Sequence, residues 1–219
     1  MTQIEPDIAV LPRLQAVLVP IGSLHMADQI AQWHAEHVRF SRLLDLLDAQ
    51  VAAFHDGEQP NYSVMLDIVA YLSEYADHAH HPREDAAFAR LTEHDPSLRV
   101  PINRLLQEHR VIKVAGEELV EHLDDVRADA MVQRSTIEAA AAQYLAYYRH
   151  HLATEEREIL PRAQRLLTAQ DWARVAEAVP AVADPLFGDA PSEDYRELRQ
   201  LLAARARVTA AGRKADEGA

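Results

Sequence analysis

A pair of motifs occurs twice along the chain at almost the same offset. Glu36–His37 returns as Glu108–His109, and His80 with Glu84 returns as His151 with Glu155. A histidine and a glutamate four residues apart share one face of a helix. Each occurrence also lies within a run of apolar residues spaced by threes and fours, which marks the buried stripe of an amphipathic helix. The order single histidine, His/Glu pair, single histidine, His/Glu pair therefore asks for helices on which all four histidines face inward. An up-down-up-down four-helix bundle does this with short connections. Only 6 glycines and 11 prolines in 219 residues leave few points at which long helices would break, so the chain reads as all-α.

The seams can be followed along the chain. The first helix is expected from about Leu24 to Phe54, with Ile30, Trp33, His37, Phe40, Leu44, Leu47 and Val51 inside. Gly57 and Pro60 end it and lead into a second helix, from about Ser63 into the LTEHDPS segment, whose inner face is Val69, Leu72, Ala76, His80, Ala87 and Leu91. Pro101 suits the first turn of a third helix carrying Ile102, Leu105, His109, Ile112, Gly116, Leu119, Leu123 and Val126. The fourth runs from about Ser135 to Leu167, with Ile137, Tyr144, Tyr148, His151, Glu155 and Ile159 on one face. Beyond it, DWARVAEA reads as a short helix, ADPLFGDAP as a loop and SEDYRELRQLLAARARV as a further helix outside the bundle. The expected division is an N-terminal segment 1–22 packing along the bundle, the bundle over 23–168, a helical extension over 169–208 and a disordered polar tail over 209–219.

Composition narrows the chemistry. A charge of −13 repels nucleic acid and anionic lipid, so neither is an expected partner. The absence of cysteine leaves only nitrogen and oxygen to hold a metal. The apolar stretch near the N-terminus carries Glu5 and Asp7 where a signal peptide has positive charge, and Pro12 and Pro20 interrupt it, so a cytoplasmic protein is expected. Among 12 histidines some fall on apolar faces by chance and are satisfied by hydrogen bonds. Four at matched spacing, joined by two inward glutamates, are harder to explain that way, because a buried carboxylate costs several kcal/mol unless it is paired or metal-bound. A pocket of four imidazoles and two carboxylates suits two metal ions.

The segments QWHAEHVRF, HAHHPREDAAF, LLQEHRVIK and HHLATEEREILP resemble the hemerythrin-like, HHE cation-binding family. The later DW…DPLFG…YRELRQLL resembles the C-terminal extension of its larger bacterial members. The resemblance implies a four-helix bundle around two bridged, non-haem iron ions, with other divalent metals permitted. It implies His37, His80, Glu84, His109, His151 and Glu155 as ligands, the glutamates bridging, and O2, NO or peroxide as the small partner. Oxygen-carrying members have a fifth histidine one turn before the single histidine of the third helix, where this chain has Leu105. That departure points away from oxygen storage, towards members linked to nitrosative stress, iron–sulfur repair or sensing. A second departure lies in HHPREDAAF, where the glutamate stands one residue closer to the following aromatic than in many members.

Several residues compete for roles. His80 has Ala76 and Glu84 one turn away, whereas His81 has Asp77 and Asp85, a wetter setting, so His80 with Glu84 is preferred to His81 with Asp85. His34, one turn from His37, is expected behind the ligands or towards solvent, and His150 as a bystander. Tyr147, four residues before His151, is a candidate hydrogen-bond donor to a bound oxygen species. His94, with His25, His55, His78 and His122, is read as a surface residue. Three functions fit: a protein that binds or senses a small diatomic or peroxide in a stress response, a di-iron enzyme acting on such species, and a metal-free interaction bundle whose stability and spectrum ignore iron.

Overall fold

The computed structural model describes residues 26–216 except Asp56, so the expected N-terminal segment 1–22 lies outside the described residues. Four helical rods form the bundle. The first is α1 (Met26–His55). The second is continuous but composite: α2 (Tyr62–Tyr71), a π-helical segment (Leu72–His80) and α3 (His81–His94). The third is α4 (Arg99–Arg127). The fourth is again composite, with α5 (Arg134–Thr154), a π-helical segment (Glu155–Ile159) and α6 (Leu160–Leu166). Among the described residues there is no strand, and no helix is long and apolar enough to cross a membrane.

The starts and close approaches have local causes. Asn61 Oδ1 accepts the amide of Val64 at 3.1 Å and caps α2. Gly57, at φ 75°, makes the turn between α1 and α2. Within α4, Gly116 lets the neighbouring rods close in. A Cβ there would meet Tyr144 Cε2 at 3.1 Å and Ser73 Oγ at 3.4 Å.

The core is divided into two apolar clusters. The larger holds Phe40, Leu44, Met65, Ile68, Leu72, Leu119, Tyr144 and Tyr148. The smaller holds Trp33, Phe88, Leu91, Leu105, Ile159, Leu160 and Trp172. Between them sit the buried polar residues Glu36, His37, His80, His81, Glu84, His109, His151 and Glu155. Most of the desolvated charge thus lies at one level of the bundle, with hydrocarbon on either side, while Asp171 and Asp184 are buried under the extension.

The extension covers both clusters. Helix α7 (Ala169–Ala178) is held by a capping box between Thr168 and Asp171 and adds Trp172 and Val175 to the smaller one. The loop that follows is pinned by Asp184, whose Oδ1 accepts the amides of Leu186 and Phe187 and the hydroxyl of Tyr71. Helix α8 (Arg196–Asp216) lies against α1 and α2. It continues through residues 209–216, where a disordered tail is expected from the sequence, as suits their alanine content.

Candidate metal centre

The repeated motifs converge. His37 from α1 meets His80 at the end of the first π segment, their Nε2 atoms 3.1 Å apart. Across the pocket, His109 from α4 meets His151 from α5 with the same Nε2 separation, 3.1 Å. The two glutamates stand between these pairs. Glu84 turns Oε1 to His37 and His80, at 3.2 and 3.0 Å, and Oε2 to His109 at 3.6 Å. Glu155 turns Oε2 to His37 at 3.6 Å and Oε1 to His151 at 3.3 Å.

A fifth imidazole joins them. His81 is expected on a wetter face but is 4% exposed. One of its ring nitrogens lies in a cluster with Glu84, His109 and His151 whose candidate ligand atoms are all within 4.8 Å of one another. His37, His80 and Glu84 form the other such cluster. The reason lies in the backbone. Counting one turn as four residues sets His80 and His81 in competition, but the π segment ending at His80 has wider turns, bonded from residue i to i+5. The widened turn lets both imidazoles face inward. Leu105, at the position of the carriers' fifth histidine, is fully buried apolar packing.

Behind each imidazole stands a carboxylate that accepts from its Nδ1. Glu36 serves His80 at 2.5 Å, Glu156 serves His37 at 2.7 Å, Asp85 serves His109 at 2.9 Å, Asp77 serves His81 at 3.1 Å and Glu108 serves His151 at 3.4 Å. In the neutral imidazole such partners place the proton on Nδ1 and leave the Nε2 lone pair facing the pocket, where a metal ion would displace any second proton. Four of these acids obey the same repeat as the histidines. Glu36 and Glu108 precede the single histidines, and Asp85 and Glu156 follow the inner glutamates. That regularity is the signal by which the sequence could have revealed them. Arg83 donates to both oxygens of Glu36, at 3.0 and 2.8 Å.

Not every candidate reaches the pocket. His34 is largely exposed and meets Glu156 at 2.9 Å. Asp85 stays behind His109. Tyr147 is 44% exposed and points out of the bundle, whereas Tyr148 is fully buried with its ring centroid 6.1 Å from that of His81. His150 lies on the surface beside Arg104. His94 does have a partner, the buried Asp171, at 2.8 Å.

The electrostatics favour a cation. Burial opposes charge on Glu84, yet the facing His80, His109 and His37 hold its carboxyl well below the usual range. Burial likewise opposes charge on Glu36, but His80 and Arg83 bring it down to about 2. His37 is pushed down by burial, but Glu156 and Glu84 outweigh this and lift it to about 10. His81 goes the other way, to about 4, because burial and the charge of His109 outweigh Asp77. It is therefore a neutral imidazole at pH 7 with a free lone pair. His81 Nε2, Glu84 Oε2 and both oxygens of Glu155 are buried without a hydrogen-bond partner. Buried groups of this kind are costly unless something compensates them. Two nitrogens at roughly a right angle on one ion, each about 2.0–2.1 Å from it, lie about 3 Å apart, which is the spacing of both imidazole pairs. The donor set fits metal cations.

A groove of about 280 Å³ between α1 and α5 opens towards this site, lined by His34, His37, Arg149, Leu152 and Glu156 among others.

No curated protein and no solved structure matches the chain significantly. Its family is nonetheless shown by the segment that builds the pocket. Residues 28–163, which carry all five imidazoles and both inner glutamates, match the hemerythrin HHE cation binding domain, and the chain belongs to that family.

Proposed function

We propose that the pocket holds two non-haem iron ions and that the protein binds or senses a small diatomic or peroxide there. The observation that carries the reading is the placement of Glu84 and Glu155, each with one oxygen towards each group of imidazoles and without enough hydrogen bonds to satisfy it. His37 and His80 would hold one ion and His81, His109 and His151 the other, with Glu84 and Glu155 placed to serve both. Imidazole and carboxylate without thiolate suit iron among the available metals. Bound iron supplies open coordination positions and one-electron redox chemistry.

The chain's residues divide the remaining work. Asp77, Asp85, Glu36, Glu108 and Glu156 hold the imidazoles in the ligating tautomer. The two apolar clusters exclude water above and below the centre. The sequence comparison with oxygen carriers counts four imidazoles because of Leu105. With His81 added there are five, shared three and two, so the two ions are inequivalent and the ion on His37 and His80 has the poorer nitrogen set. The α1–α5 groove approaches that same ion.

Metal analysis of protein purified without chelator, with an absorption spectrum, tests the reading. About two irons per chain with oxo-to-iron charge-transfer bands are expected for a bridged pair. A single zinc, or a stability indifferent to metal removal, would overturn it.

A further inference from the structure

The chain contains only two tryptophans, and both stand in one line leading away from the candidate centre. Trp33, one turn before His37 on α1 and 2% exposed, meets the His80 ring edge-on with centroids 6.4 Å apart. Trp172, on α7 of the extension, meets Trp33 edge-on at 5.2 Å and is 7% exposed. Its Nε1 has no hydrogen-bond partner. Packing alone could be met by leucine or phenylalanine, without burying an unpaired indole N–H.

We infer that Trp33 and Trp172 form a relay that carries oxidising equivalents from the metal centre out to the extension, sparing the ligands when peroxide reacts there. The inference rests on the metal reading above. The tyrosines near the site suit this task less well. A phenol expels its proton on losing an electron, yet the Tyr148 hydroxyl, beside His81, has no acceptor. Tyr75 is linked to the site through Glu36, to which its hydroxyl donates at 3.4 Å, but it leads on to the stacked and fully buried Tyr71 and not towards the surface. An indole radical cation keeps its N–H long enough to pass the charge on, so an unpartnered Nε1 is no obstacle.

The chemistry balances with hydrogen peroxide as oxidant. Reducing one peroxide to two waters takes two electrons and two protons. With the bound metal already ferric, Trp33 gives up an electron and is refilled by Trp172, whose Nε1, buried while α7 is docked, passes its proton to water when α7 transiently lifts from the bundle. A second electron leaves by the same route, and water adds to the Trp172 ring with loss of a second proton. In sum, one indole and one peroxide become one hydroxyindole and one water.

The test treats the full chain, loaded with ferric iron and with its metal content measured, with hydrogen peroxide and maps the oxidised peptides by mass spectrometry. Added oxygen is expected on Trp172, severalfold above Trp33, and absent from zinc-loaded protein. Trp33→Phe should lower Trp172 oxidation severalfold at unchanged iron content. Trp172→Phe should leave the added oxygen on Trp33, and this variant decides the matter if Trp33→Phe fails to hold iron. An unmodified Trp172, equal oxidation with zinc or in Trp33→Phe, or oxygen appearing on Tyr148 or Tyr75 instead would overturn the relay. A wild-type chain that takes up no iron shows in the metal analysis before peroxide is added, and it sinks the metal reading and the relay together.

Discussion

His81 lies flat against His109, their ring centroids 4.2 Å apart and their planes 13° from parallel. Two stacked imidazoles can turn parallel lone pairs towards one ion only if their other nitrogens are held from behind. Asp77 and Asp85 do this from points two turns apart on the second rod. His81 is therefore expected to bind metal in its own right and not as a substitute for His80. His81→Ala should lower the metal content below two ions per chain, since it removes one donor and leaves the Asp77 carboxylate without its partner. Tyr147→Phe should leave it unchanged. Elemental analysis of the purified variants decides; full loading of His81→Ala would show that the centre needs four imidazoles only.

Glu36 is the acid on which most depends, because it holds both His80 and Arg83. Replacing it with glutamine keeps the shape but loses the charge that orients His80. A fall in metal affinity of about 10–100-fold is expected for the loss of such a partner. Glu36→Ala also takes the carboxylate from the partly buried Arg83 guanidinium, which keeps only the Ala79 carbonyl, and should destabilise the metal-free chain by about 2–3 kcal/mol. Competition with a chelator and urea unfolding measure the two effects separately. Unchanged affinity in Glu36→Gln would mean that the packing around His80 suffices to orient it.

How much of this was legible depends on backbone regularity. The bundle was readable because apolar spacing is regular along α1, α4 and α5, and the repeat placed His37, His109 and His151 on inner faces. The second rod was not, because no residue type in LSEYADHAH announces a π segment, and a four-residue turn assigns His81 to the wrong side of the helix. Asp77 suggests solvent and is instead the partly buried partner of His81. On α5 the choice of Tyr147 rested on a spacing of four. Tyr148, three residues before His151, is the one that packs inward. The acids behind the histidines follow the repeat, but sequence alone does not say which side of a helix a neighbouring acid faces.

The extension should carry an acid-sensitive fastening. Asp171 is opposed by burial, but hydrogen bonds from Thr168 and His94 hold its carboxyl at about 2, below the ordinary 3.8. A depressed carboxyl contributes stability that is present above its unfolded value and lost as pH falls through its folded value. Docking of α7 should therefore weaken between about pH 4 and pH 2. Asp171→Asn should show less of this dependence, and Thr168→Ala should cost about 1 kcal/mol at neutral pH through the lost cap. Trp172 fluorescence against pH reports the docking directly, and identical profiles for wild type and Asp171→Asn would refute the assignment.

The last expectation concerns how a small ligand arrives. The groove between α1 and α5 reaches His37 and passes beside Leu152, which under the internal repeat occupies the position corresponding to His81. An ion on the His37 side would thus lack the third imidazole that His81 offers the other, and the opening to solvent lies on that side. Ala153 lines the same groove and is exposed, so a large side chain there meets little resistance from the core. Ala153→Trp should slow association of azide with the iron-loaded protein severalfold while leaving iron content and thermal stability unchanged, because it touches neither ligands nor their acids. Stopped-flow absorption of the azide complex gives the rate. An unaltered on-rate would place the entry elsewhere, and slowing accompanied by loss of iron would show that the substitution had reached the centre itself.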